Sequence, residues 1–347
     1  VPASRDEAAA RDDAVAALRR IAFLLERAGE SRYRSRAYRR AATSLEAVDP
    51  ATVSALHAAG RLTDLPGLGE KTADAVARRL RGEAVPSLER LEAAAAAQVR
   101  AGADLRGALR GDLHAHTDAS DGTTSMQEMV LGALGLGHEY LAITDHSPRL
   151  RVANGLSAER LRAQIGQVHA LSRAVAPFRV LTGIEVDVLD DGGLDQQPAL
   201  LGELDVVVAS VHSALRMDRA AMTRRMVRAV SNPHVDVLGH CTGRKVSGRL
   251  RPESEFDAAA VFAACAEHGV AVEVNSSPDR LDPPHRLLQQ ALDAGCLVAI
   301  DTDAHAPGEL AWQDVGCERA ARHGVAPGRV VNTWPVEDLV ARSHRRD

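Results

Sequence analysis

Apolar side chains at Val15, Leu18, Ile21, Leu24 and Leu25 recur every three or four residues, the spacing that lines one face of a helix. The same texture continues to about residue 100, punctuated at Gly29, Asp49-Pro50, Gly60 and Pro66-Gly67, with no alternating β-rich run. The first hundred residues therefore read as all-α. The alanine run at 93–97 favours a helix that spaces two halves, and Ala101-Gly102-Ala103 breaks it, which sets a boundary near residue 105. After Gly111 short β-rich runs appear at 112–116, 140–145, 180–186, 206–212, 235–240, 270–275 and 297–301, with helical stretches between them. Strands alternating with helices imply right-handed βαβ units and a parallel sheet, and seven of them favour a closed or nearly closed barrel.

Composition narrows the class without changing this outline. The 347 residues allow two domains, and no apolar run approaches the roughly 18 residues that a membrane span needs. The opening Val1-Pro-Ala-Ser-Arg-Asp-Glu lacks an apolar segment after a basic start, so a cytoplasmic location is expected. Cys241, Cys265, Cys296 and Cys317 form no C-x-x-C pattern and read as buried thiols in a reducing compartment. Residues 1–100 hold 17 basic against 14 acidic side chains, whereas residues 101–347 hold 25 against 33. Aromatic residues make up 3% of the chain, so any contact with nucleic acid is expected to be electrostatic rather than by stacking on bases. Only Lys71 and Lys245 are lysines, an imbalance that a G+C-rich genome explains.

The chemistry gathers at the expected strand ends, where the connecting loops of a β/α barrel converge. The first strand ends in His114-x-His116 with Asp121 in its loop, the second at Asp145-His146, the third at Glu185, the fourth at His212, the fifth at His240 and the seventh at Asp303-x-His305. The sixth, ending at Asn275, offers no strong ligand. Alternate strand residues point the same way, so each H-x-H or D-x-H pair aims two ligands into one cavity. Imidazole with carboxylate suits Zn, Mn or Fe. Nine groups exceed the roughly four to six ligands of one ion, so two or three divalent metals are expected, with Glu185 placed to bridge. Arg151, Arg216 and Arg244 lie just past three of these motifs and are candidate phosphate clamps.

Asp112-Leu-His-Ala-His-Thr, Ser120-Asp-Gly, Ile143-Thr-Asp-His-Ser-Pro, Gly183-Ile-Glu-Val-Asp, Ser210-Val-His-Ser, Gly239-His and Asp301-Thr-Asp-Ala-His resemble the motifs of the PHP (polymerase and histidinol phosphatase) superfamily over residues 111–347. Within it the resemblance is to the C-terminal module of bacterial family-X DNA polymerases, a manganese-dependent 3′-5′ exonuclease and 3′-end phosphoesterase. That resemblance implies one ion on His114, His116, Glu185 and Asp303, a second on Glu185, His212 and His240, and a third on Asp121, His146 and His305. Glu185, Asp303, His305 and Arg151 are the candidate catalytic residues.

In the helical half, Leu65-Pro-Gly-Leu-Gly-Glu-Lys-Thr72 resembles the hairpin of a helix-hairpin-helix motif, with Gly67, Gly69, Lys71 and Thr72 as candidate contacts to a DNA backbone. A Walker A loop is excluded because Glu70 precedes Lys71. The arginine-rich stretch 31–42 resembles the N-terminal domain of the same polymerases. Their catalytic palm has no room here, because only 30 positions separate Gly82 from Asp112. Schiff-base lyase chemistry, which needs an amine nucleophile, is disfavoured, since Lys71 is the only lysine in that half and sits in the phosphate loop.

The reading is an α/β protein, a seven-stranded distorted (β/α)7 barrel preceded by a small all-α helix-hairpin-helix domain. Residues 1–100 would bind DNA without sequence preference, residues 101–110 would be a linker, and residues 111–347 would be a metal-dependent phosphoesterase acting on DNA 3′ ends. The alternatives are a small-molecule phosphatase of the histidinol-phosphate type and a non-catalytic DNA-binding accessory protein. Nine intact ligand positions argue against the last.

Overall fold

The computed structural model describes residues 5–97 and 101–343. The chain divides into two compact units, Val1–Val99 and Arg100–Asp347. In the first, helices Arg5–Arg27, Arg32–Glu46, Pro50–Ala58, Glu70–Leu80 and Pro86–Ala96 enclose a core of Leu18, Ile21, Leu25, Leu45, Val53 and Val76. All five apolar positions of the 15–25 stripe are buried. The arginine-rich helix is not uniformly solvated: Arg39 is buried and forks onto Glu26 at 2.7 and 2.6 Å, an internal pair that removes it from any binding face.

The second unit is a barrel of seven parallel strands in sequential order: β1 Gly111–Asp112, β2 Tyr140–Ile143, β3 Arg179–Asp187, β4 Val206–Ser210, β5 Val237–Leu238, β6 Ala271–Asn275 and β7 Val298–Asp301. Both faces are apolar, as a parallel sheet covered by helices requires. Val207 and Ala209 of β4 face outward into one core cluster, while Val206 and Val208 join Leu181, Ala271 and Ala299 in another, inside the barrel. Continuing that two-residue alternation up the strands puts Glu185 above Leu181, Glu273 above Ala271, and Asp301 with Asp303 above Ala299.

Strands β1 and β5 are two residues long, shorter than the runs 112–116 and 235–240, because side chains replace the ladder there. Leu113 N–H donates to Asp301 Oδ1 at 2.9 Å, Ala115 N–H to Thr144 Oγ1 at 2.9 Å, and His240 N–H to Glu273 Oε2. The barrel is drawn shut between β1 and β7 by a single bridge, Ala115 to Ala304, and by Asp112, whose carboxylate accepts from Thr302.

Residues 101–110 are not a linker. They contain the helix Ala103–Ala108, and Leu105 and Leu109 are buried with Val274, Leu288, Val298 and Ile300 against the outside of β6 and β7. A chain starting at residue 111 should therefore be less stable than one starting at residue 101 by about 3–6 kcal/mol, since each buried leucine contributes about 1.5–3 kcal/mol. Urea midpoints of the two truncated proteins measure this, and equal midpoints would return the segment to linker status.

Candidate metal centre

The nine residues picked out at the strand ends converge on one buried cluster at the carboxyl end of the barrel. Glu185, fully buried on the longest strand, is its centre. Its Oε1 lies 2.9 Å from His240 Nε2 and 3.2 Å from His212 Nε2; its Oε2 lies 2.7 Å from His146 Nδ1, 3.4 Å from His114 Nε2 and 3.6 Å from His116 Nε2. Asp303 Oδ1 approaches His116 Nε2 at 3.2 Å, and Asp121 Oδ1 lies 3.4 Å from His146 Nε2 and 3.3 Å from His305 Nε2. Asp303 itself has φ +56°, a left-handed conformation that aspartate tolerates better than most residues.

Burial alone would push the Glu185 carboxyl up, but the imidazoles of His212, His146 and His114 outweigh it and hold the group well below the carboxylate range. Asp303 is held low in the same way, by Arg280 and then His114 acting against burial. For His116 burial and the neighbouring His305 and His146 act together, lowering its pKa to about 3, so its ring is neutral and offers a lone pair.

Whether such a cluster suits metal ions is answered by its unpartnered atoms. His114 Nε2, both ring nitrogens of His116, His212 Nε2 and Glu185 Oε2 are buried and make no hydrogen bond of acceptable geometry, although several lie at ion-pair distance. Buried polar atoms without partners are costly, and divalent cations would satisfy these at once. The donors fall into three groups: His116, Asp121, His146 and His305; His114, His116 and Glu185; and His146, Glu185 and His212. They differ from the sets implied by resemblance in giving His116 and His146 each a place in two groups and in leaving His240 and Asp303, which border the cluster, outside all three.

Residues 112–277 match the PHP domain family and residues 9–84 a helix-hairpin-helix domain family. The chain carries both domains. The PHP barrel is that of a phosphoester hydrolase. The DNA polymerase/3′-5′ exonuclease PolX of Bacillus subtilis is 37% identical over 241 residues, 70% of this chain but 42% of its own length, so the present chain spans less than half of that relative. A probable phosphatase from Thermoanaerobacter is 26% identical over 233 residues, 64% of this chain and 89% of the relative. A solved histidinol phosphate phosphatase from Lactococcus lactis, complexed with zinc, L-histidinol and phosphate, has 17% identity and a TM-score of 0.43 over 62% of this chain and 94% of its own.

The PHP barrel also contains functional groups that the sequence reading passed over. The sixth strand is not empty of chemistry: Glu273, fully buried, holds His114 Nδ1 at 2.6 Å and so fixes which nitrogen of that ring faces the cluster. Asp187 does the same for His212, 3.3 Å from its Nδ1. The only sequence signal for Glu273 is a lone charge in the apolar run Ala-Val-Glu-Val-Asn. Asp145 braces the loop that carries Asp121, accepting from Thr117 N–H at 2.8 Å and from Gln164 Nε2 at 2.6 Å.

The candidate clamps fare differently. Arg151 is exposed on the turn Arg151–Ala153, and Arg216 is exposed after β4. Arg244 is corrected to a scaffold role: its guanidinium donates to the carbonyls of Arg280 and Leu281. In the hairpin, Gly67 (φ +86°), Gly69 and Lys71 are exposed, Gly69 preceding the helix Glu70–Leu80. Thr72 is corrected to a positioning residue, because its side chain is buried and its hydroxyl bonds Gly69 N–H and C=O, both at 2.9 Å.

Glu273→Gln should lower metal affinity roughly 10- to 100-fold by freeing the His114 ring, the usual cost of removing a partner that orients a ligand. Metal titration against a competing chelator measures this; unchanged affinity would reduce Glu273 to a fold-stabilising residue.

Proposed function

We propose that the barrel, loaded with two or three divalent ions (Mn, Zn or Fe), hydrolyses phosphodiester or phosphomonoester bonds at DNA 3′ ends, as a 3′-5′ exonuclease or 3′-end-processing enzyme in DNA repair. The observation that carries this reading is the convergence of His114, His116, Asp121, His146, Glu185, His212, His240, Asp303 and His305 on one cluster around a buried carboxylate. Bound ions would supply charge neutralisation of the phosphate and activation of water. The protein's part is to hold the donors: Glu185 belongs to two of the groups, His305 to the third, Asp303 lies against His116, and Glu273 and Asp187 hold two rings from behind. Four buried free cysteines fit a cytoplasmic, reducing setting.

DNA is favoured as substrate by the helical unit. Beside the exposed hairpin lies a groove of about 430 Å³ lined by Arg34, Tyr38, Lys71, Arg78 and Arg90 against Glu70 and Asp74. Glycines that let a phosphate approach, a following helix N-terminus and surrounding arginines suit a backbone read without regard to sequence. The helices Pro86–Ala96 and Ala103–Ala108 occupy much of the short stretch between the two domains, which has no room for a polymerase palm. The second reading, a small-molecule phosphatase, is favoured by the phosphatase relative that aligns over most of its own length.

Metal-loaded protein assayed on 3′-labelled DNA beside histidinol phosphate decides between them, and chelation should abolish either activity. Lys71→Ala should flatten the salt dependence of duplex DNA binding by about one unit of log-log slope if the ammonium pairs with one phosphate. An unchanged slope assigns Lys71 to solvent. A protein starting at residue 101 should keep hydrolysis of a small phosphoester while its KM for DNA rises and its kcat changes much less, because binding remote from the reacting phosphate is uniform between ground and transition states. Unchanged DNA kinetics would favour the small-molecule reading.

A further inference from the structure

The mouth of the barrel holds cations that the metal cluster does not account for. Arg280 lies in the loop after β6, its side chain 14% exposed, with Nε 2.8 Å from Asp303 Oδ2. Its Nη1 is buried and has no hydrogen-bond partner. A guanidinium serving only to neutralise Asp303 would gain most by forking onto both carboxylate oxygens, yet Oδ1 of that carboxylate faces His116 at 3.2 Å.

The loop beneath Arg280 is built to hold it there. Leu281 has φ +48°, a conformation costly for a leucine, and two other arginines hold the surrounding carbonyls. Arg244 donates to Arg280 C=O at 3.1 Å and to Leu281 C=O, and Arg319 donates to Asn275 C=O at 3.0 Å and Asp282 C=O at 3.3 Å. Lys245 joins the same place from the segment after β5. It begins a short hairpin, paired through its backbone with Arg251 at 2.9 and 3.0 Å, and Val246 N–H bonds Asp279 C=O at 2.7 Å, which ties the hairpin to the Arg280 loop. The half-buried Lys245 ammonium has no acceptor among the described residues and is pushed below its ordinary range by burial and then by Arg280. Arg280 thus keeps one buried donor unspent, and Lys245 stands on the hairpin tied to its loop, so the two offer positive charge to an anion at this place.

We propose that Arg280 and Lys245 bind the phosphate of the substrate beside the metal cluster, Arg280 through its unpartnered Nη1 and Lys245 as a second point charge. This rests on the phosphoesterase reading and identifies which protein groups meet the phosphate oxygens that the ions leave. It also replaces Arg151 and Arg244 as the clamp.

The test is titration of inorganic phosphate into the manganese-reconstituted full chain, with metal content measured by elemental analysis. Arg280→Gln should keep its manganese and lose at least tenfold in phosphate affinity, Arg280→Lys should lose less, and Lys245→Gln should lose about three- to tenfold. Wild-type phosphate affinity in Arg280→Gln overturns the proposal, and so does loss of manganese from that variant, which would make Arg280 a positioning residue for Asp303. Should Arg280→Gln fail to fold, Lys245→Gln decides alone: unchanged affinity rejects the site. Wild-type protein that binds no phosphate also rejects it. Loss of phosphate binding in the variants, with a wild type inactive on DNA, would sink the DNA reading and leave this site standing.

Discussion

A carboxylate placed at the centre of a closed sheet, out of reach of water, is the constraint around which the second unit is arranged. Burying a charge is expensive unless other groups meet it, and Glu185 is met by five imidazoles from β1, β2, β4 and β5 or the segments just beyond them. Those rings in turn are too many for one carboxylate, which leaves nitrogen atoms buried without partners. Divalent cations would meet those atoms, and in that case the stability of the barrel mouth would depend on the same ions.

Meeting that constraint shortens the sheet. Where ligands must face inward, the backbone leaves the ladder, and buried side chains take over its hydrogen bonds: Asp112 and Asp301 at the β1–β7 seam, Glu273 beneath His240, Asp187 beneath His212 and Asp145 beneath the Asp121 loop. Most of these groups are buried carboxylates accepting N–H bonds, which is how a chain with unpaired strand ends avoids leaving backbone donors unsatisfied. The cluster on this scaffold is consequently surrounded by a second set of acids whose partners are backbone N–H groups and ligand rings.

This explains what the sequence could and could not disclose. The seven strands and the nine cluster residues were legible because strand-end position, residue type and two-residue spacing act together: His114 with His116 announces a pair. Glu273 and Asp187 were not, because a carboxylate that orients a ring has no spacing rule relative to it; Glu273 is 159 positions from His114. The helix at 103–108 was hidden by Gly102, which read as a breaker although Leu105 and Leu109 supply the burial that fixes the segment. Thr72 was misjudged for the opposite reason. A polar residue in a basic, glycine-rich surface segment looks like a contact, whereas this one caps the hairpin from inside.

The charge distribution sets a final requirement on any phosphate ligand. Residues 101–347 carry 25 basic against 33 acidic side chains, and the cluster adds Glu185, Asp303, Asp121 and the nearby Glu273 at the place where a phosphate must arrive. Coulomb repulsion between like charges in a poorly solvated cavity is several times stronger than in water, so these carboxylates would repel a phosphate unless cations stand between them. Cations fixed by the fold must therefore work beside cations acquired from solution, and they must sit where carboxylates do not neutralise them completely. The loop after β6 meets both demands, since its backbone is held by other arginines and its one inward-facing guanidinium shares only part of its donors with Asp303. In the helical unit the balance is reversed, with 17 basic against 14 acidic side chains over residues 1–100 and basic residues around the hairpin groove, so attraction for a polyanion there needs no ion at all.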